Sequence, residues 1–274
     1  MDGAAGAVRG GLAPADAVRA VPGFWTGGRR IERACYAVGG LLMLGGLFHL
    51  LVFAVDGGPW TGPVSWRKPV TFGLSFGLTL ITIAWVSSYV RLGERARRVL
   101  LGVFAADCVA EVALITTQAW RKVPSHFNME TGFDTLVTRL LAAGGAILVI
   151  TLVSLTVAAF RANPGTAPSM RLALRAGFAA LMLALASGAA MIARGVAEAQ
   201  GGHQQAAYHV AVALKPAHFV TMHAVLVLPA LAWLLTFTGL TEGRRVRTVA
   251  LATSAYGVVA AAVIAVSAVR FAAG

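Results

Sequence analysis

The chain has 274 residues, of which 58% are apolar and only 12% charged, with a mean hydropathy of +0.75. A soluble domain of this length needs far more charge to cover its surface, so that class is excluded. The formal net charge of +12 comes from 23 basic residues. These are spread over many short connections rather than gathered in a basic domain, which excludes nucleic acid as the expected partner and leaves anionic lipid headgroups.

Residues 1–30 are rich in Gly, Ala, Pro and Arg and lack the continuous apolar core of a signal peptide. They are expected to form a disordered cytoplasmic tail with a short surface helix around Pro14 to Val21. Residues 31–274 then read as one transmembrane domain. Seven apolar blocks follow, at about Tyr36–Val55, Val70–Val90, Val99–Gln118, Thr135–Phe160, Leu172–Ala193, His218–Thr238 and Thr248–Val269. Each is near the ~20 residues that cross a hydrocarbon core of about 30 Å. Each is also too long and too uniformly apolar for a barrel strand. The predicted fold is therefore all-α, a seven-transmembrane-helix bundle.

Orientation follows from the basic residues. With the N-terminus inside, fifteen Arg fall on the cytoplasmic side and eight Arg or Lys on the other. That positive-inside bias predicts a multi-pass cell-membrane protein, N-in and C-out. Glycines at 39, 40, 45 and 46 in the first block and at 73 and 77 in the second mark faces for close helix packing, within the chain or between copies in an oligomer. Cys35 and Cys108 lie at different depths with no CxxC pair, so both are expected as buried free thiols.

On this topology all six histidines (His49, His126, His203, His209, His218 and His223) lie on the outer side. Imidazole is the commonest metal ligand and titrates nearest neutral pH. Asp107 and Glu111 share one face of the third block at i,i+4, and intramembrane carboxylates are costly unless they serve a cavity, a partner or a pathway. Three mechanisms fit these residues. The first is a metal or haem centre in the outer leaflet. His49 and His223 would hold the cofactor, and a metal shell would draw on His49, His126, His218, His223 and Glu111. Iron, copper or zinc would then support redox or metal-assisted chemistry on a hydrophobic lipid-phase substrate. The second is a proton-coupled carrier in which Asp107 and Glu111 relay protons. The third is a metal-free acid–base enzyme on a lipid or isoprenoid, with Glu111 or Asp107 as proton donor and His126 as a further catalytic candidate. His218 and His223 lie about 140° apart around a helix, so they serve one ion only if His218 precedes the regular helix.

Each residue also has a plain structural reading: interfacial hydrogen bonding for the histidines, an interhelical pair for the carboxyls, packing for the methionines. The three lysines, Lys68, Lys122 and Lys215, fall one to each outer connection. They read either as interfacial anchors or as a shared anion site.

Trp66-Arg-Lys68-Pro69, Ser125-His126-Phe127-Asn128 with Thr131 and Asp134, and His218-Phe219 with His223 and Pro229 resemble motifs of a family of uncharacterised bacterial seven-helix membrane proteins. The resemblance spans the first to sixth blocks. It implies the fold and the membrane location and no activity. Leu214-Lys215-Pro216 stands where the family has an acidic-plus-arginine lead-in.

Overall fold

A computed structural model describes residues 14–273, and among these every regular element is helical. The elements are α1 (Pro14–Thr26), α2 (Arg30–Asp56), α3 (Arg67–Ser87), α4 (Glu94–Trp120), α5 (Gly132–Phe160), α6 (Pro168–Gln200), α7 (Gln204–His209), α8 (Lys215–Leu234, continued by a 3₁₀ turn to Phe237) and α9 (Glu242–Ala273). Seven of them are long and apolar enough to cross a membrane, and they correspond one to one with the seven hydropathy blocks. The chain is a multi-pass, all-α seven-helix protein.

The helices overrun the blocks at most of their ends, because polar end residues extend a helix without adding hydropathy. Lys68 and Lys215 thus belong to the first turns of α3 and α8. Of the expected tail, Pro14–Thr26 is helix α1, and residues 1–13 lie outside the described residues. α1 docks through Phe24, whose ring lies 5.8 Å from Trp85 and 5.2 Å from Trp233.

Successive long helices run antiparallel, which gives the bundle two ends. One carries α1 and the connections at 88–93, 161–167 and 238–241; we call it the arginine end. The other carries all six histidines. The closest pairings are α2 with α3 and α6 with α8, and the first follows from its glycines. A Cβ at Gly73 would stand 2.8 Å from the Gly46 Cα, and one at Gly77 would stand 2.5 Å from the Gly39 carbonyl oxygen. Four of the six glycines singled out in the sequence are thus used inside the chain, while Gly40 and Gly45 face open space. The core runs through α3 (Leu80, Ile83, Ala84, Val86), α4 (Leu101, Phe104, Cys108), α5 (Leu152, Leu155) and α6 and α8 (Phe178, Leu181, Ala224, Val225). Leu41, Leu51, Ile150, Leu251 and Val258 stand outward, about two-thirds exposed or more, as lipid-facing positions do. Cys35 and Cys108 are both buried free thiols.

Arg97 fixes the arginine end. It is 2% exposed, and Nη1 and Nη2 donate to the Ser87 and Val90 carbonyls at 2.6 and 2.9 Å. A cation at the C-terminus of α3 meets the negative end of that helix. Glu32, equally buried, takes Arg97 at 3.4 Å and Arg29 at 3.0 Å.

Candidate functional site

The inward face of α4 repeats polar side chains along its length. Arg97, Asp107, Glu111 and Gln118, all buried, fall within about a quarter of the helix circumference at 100° per residue. Asp107 and Glu111, near the middle, are 7% and 6% exposed. They face Gly144 of α5, where a Cβ would stand 2.9 Å from Asp107 Oδ1 and would collide with Glu111 Oε1. Any larger residue there would make the carboxyl ends shift. Asp107 Oδ2 is buried with no hydrogen-bond partner among the described residues.

Apolar layers close this pair off in both directions along α4. Toward the arginine end lie Leu101 and Phe104, both buried. Toward the histidine end Ile115 packs with Val137 and Leu141 of α5 in a separate small core, flanked by Phe72 and Leu114. Beyond that layer comes a second polar group. Gln118 Nε2 donates to Asp134 Oδ1 at 2.9 Å, and Arg121 pairs with the same carboxylate.

Much of the middle motif is spent on building the α4–α5 connection. Thr131 is the N-cap of α5, accepting from the Asp134 backbone N–H at 3.1 Å, while its hydroxyl donates to Asp134 Oδ2 at 2.6 Å. Asn128 Oδ1 accepts from the Glu130 N–H, and the Asn128 carbonyl accepts from Thr138. Phe127 adopts a positive φ of 59° and sets its ring where Gly195 of α6 has no side chain. Its carbonyl accepts from Gln204 of α7 at 2.6 Å.

The histidines share an end but not a centre. Both ring nitrogens of His49 are engaged: Nδ1 donates to the Gly45 carbonyl at 2.7 Å, and Nε2 accepts from Trp120 Nε1 at 3.1 Å. The ring also stacks on Trp66, whose Nε1 donates to Asp56 at 2.9 Å. His126 meets Ser125 Oγ at 2.9 Å and lies beside Phe72. His218, inside α8, turns to α6, where Nδ1 reaches the Ala184 carbonyl at 2.9 Å. His223 turns the other way, toward Leu78, Thr79 and Thr82 of α3, with Nδ1 on the Phe219 carbonyl. The α8 helix is regular through His218, so the 140° separation keeps these two rings apart. His203 is exposed and meets Glu198 at 3.2 Å, and His209 is exposed at the end of α7. No three His, Cys, Asp or Glu side chains among the described residues stand close enough to hold one metal ion. The set His49, His126, His218, His223 and Glu111 is therefore not assembled into one shell.

Two features escape a sequence reading. The Trp66–Trp120–His49 box needs three elements to meet, and no single block signals it. Gly144 looks like any small residue in a transmembrane block until the facing helix is known.

Comparison with protein-family models, curated proteins and solved structures returned no match. The family resemblance therefore rests on its motifs alone.

Proposed function

We propose that this chain is a proton-handling membrane protein, centred on the Asp107–Glu111 carboxyl pair and acting in proton-coupled movement of a solute. The observation that carries the reading is the buried Asp107 Oδ2, left without a partner beside Glu111 and Gly144. Two carboxylates at close quarters in a low-dielectric interior cannot both hold charge, so the pair keeps one proton between them. The Leu101–Phe104 and Ile115–Val137–Leu141 layers give an occluded site its two barriers. Exchange of the proton then requires one layer to part, or a cation to arrive that takes the proton's place. Gly144 and its helix cover the carboxyls from α5, which gives an acid–base enzyme on a lipid-phase substrate less room. A metal or haem centre has less geometric support, since the candidate ligands stand apart and both His49 nitrogens are engaged. On the positive-inside bias we read the arginine end as cytoplasmic and the histidine end as outer.

Infrared difference spectra of the full-length protein in detergent, collected across a pH titration, test the pair. A protonated-carboxyl signal is expected in the wild type, is expected to change in both Glu111→Gln and Asp107→Asn, and is expected to disappear in the double variant. A titrating carboxyl signal that is identical in all four proteins overturns the reading.

A further inference from the structure

His49 and His223 are wired alike through one ring nitrogen. Each places Nδ1 at 2.7 Å from a carbonyl oxygen one turn earlier in its own helix, that of Gly45 or Phe219. A carbonyl oxygen only accepts, so Nδ1 carries the proton and the uncharged ring presents a lone pair at Nε2. In His49 that lone pair takes the Trp120 N–H. In His223 it meets no donor among the described residues.

The surroundings make the omission costly. His223 lies about two turns into α8, about 12 Å from the helix start at 1.5 Å per residue. Phe219 and Val227, one turn to either side, are 60% and 45% exposed, so this stripe of α8 meets the apolar surround. Here α8 packs against α3, and the His223 ring lines a notch with Thr79 and Thr82, walled by Leu78, Met222 and Leu226. Thr71, Thr156 and Thr221 turn their hydroxyls back to a carbonyl of the preceding turn. Thr79 and Thr82 make no such bond, although Thr82 is only 3% exposed. Being three residues apart, the two share a face of α3. No hydrogen bond joins either of them to His223, so a gap separates the acceptor from the hydroxyls. Convergence marks the place: three polar groups line one opening inside the membrane without meeting each other. Polar groups at this depth are costly until something satisfies them.

We propose that the notch between α3 and α8 binds the hydroxyl of a lipid-phase molecule, which donates to His223 Nε2 and accepts from Thr79 and Thr82. One oxygen atom serves both sides, because a hydroxyl combines one donor with two acceptor lone pairs. A quinone or ester carbonyl has no proton to give Nε2, and a carboxylate would bring an unpaired charge into the membrane interior. The apolar remainder of the ligand lies along Leu78, Met222 and Leu226. The hydroxyl is either the phenolic group of a hydroquinone or the terminal group of an isoprenoid alcohol. The site is separate from the carboxyl pair on α4 and does not depend on its role.

Calorimetric titration of the full-length protein in an uncharged detergent, without oxygen, tests the notch with two pairs of probes. One pair is a short-chain ubiquinol and the matching ubiquinone, and the other is farnesol and farnesyl methyl ether. Saturable binding of the quinol, about tenfold or more tighter than the quinone, identifies the phenolic hydroxyl. The same preference for farnesol over its ether identifies the alcohol. In either case His223→Leu and the double variant Thr79→Val/Thr82→Val are each expected to weaken binding about tenfold, while His203→Gln, at an exposed position, leaves it unchanged. The threonine variant keeps the side-chain shape and carries the test if His223→Leu is not monodisperse. The proposal is overturned if neither hydroxyl probe binds saturably, the result for a notch that holds only water. It is equally overturned if the quinone and the ether bind as tightly as their partners, or if either monodisperse variant binds as the wild type does.

Discussion

His126 sits in the α4–α5 connection with Lys68 reaching in from α3, Ser125 on its Nδ1, and the rings of Phe72 and Phe127 on either side. An imidazole in an unfolded chain titrates near 6.5; here burial, with the Lys68 charge adding to it, holds His126 down to about 4. Between those values the unfolded chain takes up a proton that the folded protein refuses. Acidification therefore draws the equilibrium toward unfolding. The His126 contribution to stability is full above about pH 6.5, falls as the pH drops to about 4, and then levels off because both forms carry the proton. Thermal unfolding in detergent at about pH 7 and about pH 4.5 is expected to show a larger loss for the wild type than for His126→Gln. Equal losses in the two proteins would contradict this account. The residue-level site was only half legible in the sequence for the same physical reason. Hydropathy and topology give a side chain's depth and side, which is why the histidines were found at one end. Azimuth and partner decide whether two rings meet, and those depend on which neighbours a helix chooses. The Asp107–Glu111 pair was legible because both members sit on one helix, whose own geometry brings them together.

Helix pairing is settled by small residues whose absent side chains let backbones touch. At Gly77 an added Cβ would meet the Gly39 carbonyl oxygen at 2.5 Å and the Met43 side chain at 2.6 Å. The carbonyl belongs to helical backbone and cannot step aside, so α2 must move away from α3. Gly77→Val is expected to destabilise the detergent-solubilised protein by roughly 1–3 kcal/mol, read as a lowered unfolding midpoint. Gly40, on the same helix as Gly39 but facing open space, provides the contrast. Gly40→Ala is expected to leave the midpoint unchanged or slightly raised, since alanine favours the helix. A reversed order of the two variants would mean that this interface does not hold α2 in place. The sequence exposed these glycines by composition but not which of them face a partner. Within the single run Gly39-Gly40 the two residues point 100° apart, and packing uses only one. The same logic protects the carboxyl pair, where Gly144 spares Glu111 and Asp107 a collision.

At the scale of the whole molecule, polar and apolar layers alternate along α4. Arg97 with Glu32 lies at one end, the acid pair lies in the middle, and Gln118 with Asp134 and Arg121 lies at the other. Such layering has direction only if the two ends face different compartments. The seven blocks were readable because a hydrocarbon core demands a continuous apolar run. The docking of α1 was not, since Phe24 finds Trp85 and Trp233 from three separate elements. The positive-inside bias predicts the orientation, and cysteine labelling can test it directly. The native thiols Cys35 and Cys108 are fully buried, which leaves a quiet background. Thr61, exposed between α2 and α3 at the histidine end, and Thr241, exposed before α9 at the arginine end, are suitable reporters. With a membrane-impermeant thiol reagent on intact cells, Thr61→Cys is expected to label at once and Thr241→Cys only after the membrane is opened. The opposite pattern would turn the bundle over. The acid pair would then be reached from outside past Leu101 and Phe104 instead of past Ile115.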